Sequence, residues 1–263
     1  DMDKQSNTIP DIENQGALVE NFNVNGSIQG EKAAIYISEN AYVKNININN
    51  NSYIDGNIIS KWNSLKSGEN MSVLMQDPDG SWRPINEDKP EEILFTNLKF
   101  SGNTTVNGNI DGSNDIFNTL KMTNTGNLDF NGSNMSIYDL NNTGTINFLN
   151  TAESPKLNVQ TGSIDGNGLL IFQNGISLKD ISYIENTVDV GNTFISLLDG
   201  KANQINISKL NADSADLYID YGDNFILQNA SDSGRNKLKL NQIFVEQANA
   251  DSIDYHDSVK LFE

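Results

Sequence analysis

Short apolar runs alternate with polar positions along most of the chain, and none lasts long enough for a helix. Between residues 102 and 175 they fall at Val106–Ile110, Leu120–Met122, Leu128–Phe130, Ile137–Leu140, Ile146–Leu149, Leu157–Val159 and Leu169–Phe172. The spacing of roughly 8 to 11 residues is that of successive short strands in an all-β chain. No window holds the i, i+3, i+4, i+7 pattern of an amphipathic helix. Asn-Gly, Asp-Gly and Thr-Gly pairs separate the runs. They supply the positive φ that a sharp corner needs at little steric cost.

Two architectures fit this spacing, a sandwich of hairpins and a parallel β-helix with coils of about 20 to 25 residues. One phrase recurs, as VNGSIQG at Val24–Gly30, YIDGNI at Tyr53–Ile58, VNGNIDG at Val106–Gly112 and GSIDGNG at Gly162–Gly168. The recurrence favours the solenoid. The expected fold is therefore all-β: a right-handed parallel β-helix with a protruding insertion and a C-terminal cap. Alternation of side chains along a strand puts Ile37, Ile48, Val106, Phe130, Ile146 and Val159 in the core. Asparagines at equivalent corners of stacked coils are expected to form amide ladders.

The chain divides into a lead-in over 1–20, first coils over 21–62, an insertion over 63–92, further coils over 93–200 and a cap-like β region over 201–263. The insertion breaks the periodicity and holds three of the five prolines, Pro78, Pro84 and Pro90. Its MSVLMQ and SWRPI segments predict a hairpin across Asp77–Gly80. Trp82 and Arg83 sit side by side there, and residues of these types dominate binding hot spots. They are the expected ligand-binding residues. In the last region NISKLNADSADLYIDY reads as a strand pair, and FILQNASDSGRNKLKLNQIFVE as strand, hairpin turn, strand.

A net charge of −18 argues against a nucleic-acid partner and against an anionic membrane surface. It also discourages aggregation of stacked strands. About forty asparagines suit a solenoid, whose coils bury only a thin column. No cysteine is present, and no run of 18 apolar residues. With no methionine at position 1, the chain reads as an internal fragment and is expected to be a monomer.

Catalytic signals are sparse. The single histidine, His256, lies between Asp254 and Asp257, and adjacent strand residues face opposite sides. No G-x-S-x-G is present. Asp111, Asp115, Asp129, Asp139, Asp165, Asp180 and Asp189 stand singly, whereas a glycosidase needs paired carboxylates. The only arginines are Arg83 and Arg235. DPDG at Asp77–Gly80 and IDGSND at Ile110–Asp115 offer oxygens, but turn chemistry accounts for both. No catalytic residue, metal or cofactor is expected.

The segment Val24–Trp62 resembles the region that follows the protease domain in subtilisin-like autotransporters. Residues 100–200 resemble autotransporter passengers in general, and DNFILQNASDSGRNKL at Asp223–Leu238 resembles the cap before their membrane barrel. The resemblance implies type V secretion and an extracellular or cell-surface location. It further implies a non-catalytic stalk that presents an attached domain or binds a host or surface ligand, protein or glycan. The family's association with virulence and adhesion is implied with it. No subtilisin motif occurs, so no protease residue carries over, and the membrane barrel is absent from this sequence. The other functional class that suits the expected fold is a carbohydrate-active lyase or glycosidase.

Overall fold

A computed structural model describes residues 17–62, 74–76, 78–84, 94–114, 117–227 and 238–246. The chain winds as a parallel β-solenoid of about eight turns, with no helix among the described residues. The first coil holds β1 (Ala17–Val24) and β2 (Ser27–Ile37), the second β3 (Ala41–Ile48) and β4 (Ser52–Ser60). β5 (Leu74–Gln76) and β6 (Trp82–Pro84) follow in the insertion. The third coil holds β7 (Thr96–Phe100), β8 (Asn103–Asn107) and β9 (Ile110–Asp111). β10 (Leu120–Asn124), β11 (Asn127–Phe130) and β12 (Asn134–Ile137) make the fourth. β13 (Asp139–Asn142), β14 (Thr145–Phe148) and β15 (Lys156–Val159) make the fifth. β16 (Ser163–Asp165), β17 (Leu169–Phe172) and β18 (Ile176–Lys179) make the sixth. β19 (Tyr183–Gly191) and β20 (Phe194–Ser196) form the seventh, and β21 (Gln204–Asp220) runs round most of the eighth. β22 (Asn224–Leu227) and β23 (Leu238–Glu246) stack beyond it.

Each strand of the solenoid pairs in parallel with a strand one coil away, so both backbone edges of an interior strand are satisfied. Inward positions then form columns through the core. Ile54, Val106, Phe130, Phe148 and Phe172 are successive Cα partners, all buried. Phe148 stacks on Phe172 with centroids 4.4 Å apart and meets Phe130 edge-on at 5.5 Å. The six core residues named from the alternation are all buried.

Corner glycines answer to two different demands. Gly102 takes a positive φ of 68°. Gly126 and Gly144 stack above it and have no positive φ. A Cβ on Gly126 would lie 2.1 Å from the Gly102 carbonyl oxygen, and one on Gly144 2.1 Å from that of Gly126. At these two corners glycine is needed for close approach of the coils, not for its dihedral range.

The last region departs from the expected pairing. Gln204–Asp220 is one strand that turns its corner at Ser214 (φ 76°), not a strand pair. β22 and β23 do not fold back on each other as a hairpin, since each pairs in parallel with β21. Alternation alone fits either arrangement. Burial decides it: Phe225 and Leu227 cover Ile205 and Ile207 only when stacked in this register. The parallel ladder thus runs on past residue 200, and residues 247–263 lie outside those described.

Candidate functional site

The insertion springs from a clamped foot. Asn45 and Asn97 are stacked partners although 52 residues apart, whereas Ala17 and Ala41 are 24 apart, so 28 residues leave and return between two neighbouring coils. Trp62 Nε1 donates to the Leu94 carbonyl at 3.1 Å, tying the outgoing chain to the returning one. The Tyr42 hydroxyl donates to the Phe95 carbonyl at 3.2 Å, and its ring lies 5.2 Å from that of Trp62. Burial, with a smaller push from the Glu20 carboxylate, raises the Tyr42 hydroxyl to about 12. It therefore remains a donor throughout the physiological range. Asn114 Nδ2 donates to the Trp62 carbonyl at 2.8 Å.

Within the insertion β5 and β6 form the expected antiparallel hairpin, as a sheet separate from the solenoid. Gln76 pairs with Trp82 and Met75 with Arg83. The side chains of these two candidate ligand-binding residues lie outside the described ones. At the tip Asp79 Oδ1 accepts from the Ser81 hydroxyl at 2.6 Å and the Ser81 amide at 2.9 Å. The hydroxyl bond holds Asp79 below the usual carboxylate range.

A second surface lies on the wall formed by β4, β8, β11 and β14. Tyr53, Thr105, Asp129 and Asn147 are Cα partners on four successive coils. With Asn103 and Asn127 they line an open groove of about 540 Å³. The Tyr53 hydroxyl accepts from Asn107 Nδ2 at 2.6 Å, which ties the ring across the next coil. Asn127 Nδ2 donates to Asn103 Oδ1 at 3.0 Å and Asn147 Nδ2 to Asp129 Oδ1 at 2.8 Å. Among the described residues no lysine or arginine lines the groove.

Charge gathers at two further places. Lys121 Nζ sits 3.6 Å from Asp139 and 4.4 Å from the centre of the Phe95 ring. Burial raises Asp139, Lys121 draws it back, and Asp165 on the next coil adds to the rise. Near the end of the stack, Asp220 Oδ2 accepts from the amides of Asp199 and Gly200, both at 2.7 Å. Asp223 accepts from the amides of Asn203 at 2.7 Å and Asp220 at 2.8 Å. Burial pushes Asp223 up, and the carboxylates of Asp220 and Asp199 add to it. Asp199 Oδ2 and Asn224 Oδ1 are buried without a partner among the described residues. These carboxylates staple a corner, and the sequence reading passed over them because each stands alone beside a turn residue.

Asp111, offered by the sequence as an oxygen ligand, is engaged by the Ser113 amide and hydroxyl and by Lys61 Nζ at 3.3 Å. Among the described residues no three of His, Cys, Asp and Glu are arranged to hold a metal ion. Asp77, Asp115, Arg235, Asp254, His256 and Asp257 lie outside the described residues. The class the geometry defines is a parallel β-solenoid with one clamped insertion and a polar lateral groove. Comparison with protein-family models, curated proteins and solved structures found no match for this chain.

Proposed function

We propose that the chain is a non-catalytic stalk of a secreted bacterial surface protein of the autotransporter type, and that it presents an attached domain or binds a surface ligand along its side. The observation that carries this reading is the unbroken parallel stack, whose register closes over a 28-residue insertion. A rod that keeps its register under an insertion is suited to spacing and display. The lack of cysteine suits a chain threaded unfolded through a pore.

Antibody against residues 17–227 should label intact cells that make the parent protein. Labelling only after permeabilisation would sink the proposal. A companion variant replaces Ser67–Lys89 by a short Gly-Ser bridge. The stack should remain folded and adhesion by the parent should be lost, whereas loss of cooperative unfolding would make the segment structural.

The second reading, a carbohydrate-active enzyme, finds its support in Lys121 beside Asp139, with Asp165 one coil on. The Lys121 ammonium is engaged by Asp139 and covered by Phe95, which leaves it poorly placed to stabilise a developing carbanion. Release of reducing or unsaturated sugar ends by the wild-type chain, lost in Lys121→Met, would favour this reading instead.

A further inference from the structure

We infer that the groove on the β4–β8–β11–β14 wall binds a neutral glycan lying along the solenoid axis. The inference rests on the reading of the chain as a ligand-binding stalk and adds a second ligand site, with its ligand class, apart from the insertion.

Tyr53, Thr105, Asp129 and Asn147 stand in one row, one per coil. Three inter-strand spacings make the row about 14 Å long. A ligand lying along the axis therefore meets a new polar side chain at each rung. Asn147 is followed by Ile171, which ends the polar row.

The groups in the row suit hydroxyls. A sugar hydroxyl both donates and accepts, as do the amide pair and the Thr105 hydroxyl, and a carboxylate accepts from two neighbouring hydroxyls at once. The ladder bonds use only part of this capacity. Asp129 Oδ2, the Thr105 hydroxyl and Asn103 Nδ2 have no further partner among the described residues. At one end the Tyr53 ring is tied across the next coil by its hydroxyl and is 39% exposed. It offers a face on which a sugar ring can stack.

Other ligand classes fit less well. An extended peptide recruited by strand addition needs an open sheet edge, and these interior strands are paired on both sides. An anionic glycan, a phosphate or a nucleic acid would meet Asp129 with no cation among the described lining residues, on a chain of net charge −18. An apolar ligand would strand the amides and the carboxylate.

The test probes an array carrying cellohexaose, chitohexaose and hexagalacturonate with the full chain. Binding should be confined to neutral members. Affinity should fall about tenfold or more in Tyr53→Ala and in Asp129→Asn, with Thr105→Ala as a further variant least able to disturb the ladder. Circular dichroism confirms that each variant keeps its strand signal. No neutral member bound, preference for the acidic one, or equal binding by the variants overturns the assignment. Surface labelling without glycan binding removes the groove assignment and keeps the stalk. Glycan binding without surface labelling does the reverse.

Discussion

At the scale of the residue, asparagine does two different jobs. On the outside it forms ladders, as in Asn47 to Asn23 at 2.8 Å and Asn49 to Asn25 at 2.7 Å. Inside, Asn124 and Asn142 occupy the column that Ile48 and Phe100 fill on lower coils, and all four are buried. Asn124 Nδ2 donates to Asn142 Oδ1 at 2.8 Å, and Asn142 Nδ2 donates to Asn186 Oδ1 at 3.0 Å. The second bond passes the intervening coil, where a Cβ on Gly168 would lie 2.7 Å from Asn142 Nδ2. Asn142→Ala should cost about 1–3 kcal/mol for each buried group it orphans. Asn127→Ala, on the exposed ladder, should stay within about 0.5 kcal/mol. Chemical denaturation checks both, and equal costs would mean that the inner ladder contributes no more than the outer one. Amide ladders at equivalent corners were legible in the sequence, and both Asn49 to Asn25 and Asn124 to Asn142 sit at strand ends. That the second pair faces inward was not, because asparagine reads as polar. Its signal was phase, since Asn124 continues the inward series of Leu120 and Met122.

Protonation belongs to this scale too. Asp223 is raised in the fold, first by burial and then by Asp220 and Asp199. A raised carboxyl favours the protonated fold. Its contribution is full below the ordinary carboxylate range and is lost as pH rises through the raised value. The melting temperature should therefore fall as pH rises above the ordinary carboxylate range. Asp223→Asn should flatten that fall relative to the wild type, which separates this group from the general relief of net negative charge. An unchanged slope in the variant would remove Asp223 from the explanation.

At the scale of the element, short strands hold because each is one rung of a column. β14 has four residues, and its Ile146 and Phe148 are fully buried between the partners above and below. Phe148→Ala should cost about 3–5 kcal/mol. Trp62→Phe keeps most of the bulk at the insertion foot but loses the bond to the Leu94 carbonyl, so it should cost only about 1 kcal/mol. A larger loss there, seen in the same denaturation experiment, would make that single bond the main clamp. Strand existence was legible from period-two alternation, and so was the hairpin across Asp77–Gly80. Strand partners at the C-terminal end were not. FILQ and KLKLNQIFVE carry the same alternation whether they fold back or wind on, and only the column beneath them selects winding.

At the scale of the whole molecule, a thin apolar column with paired edges lets a chain rich in asparagine and aspartate fold as one stack. Sequence showed that stack through a recurring phrase and showed the insertion through a run of prolines. It pointed to Trp82 and Arg83 for binding and passed over the lateral groove. That groove arises only when Tyr53, Thr105, Asp129 and Asn147, far apart in sequence, come into register. The central claim is that the coils before and after the insertion are adjacent and parallel. Because the chain has no cysteine, introduced pairs report on this without background. Asn45→Cys with Asn97→Cys joins directly stacked positions, at a separation suited to a disulfide. Asn45→Cys with Lys99→Cys is displaced by two residues along the strand, because Lys99 stacks on Asn47. Under mild oxidation the first pair should cross-link within the monomer and the second should not. Failure of the first pair, or equal cross-linking of both, would contradict the parallel stack.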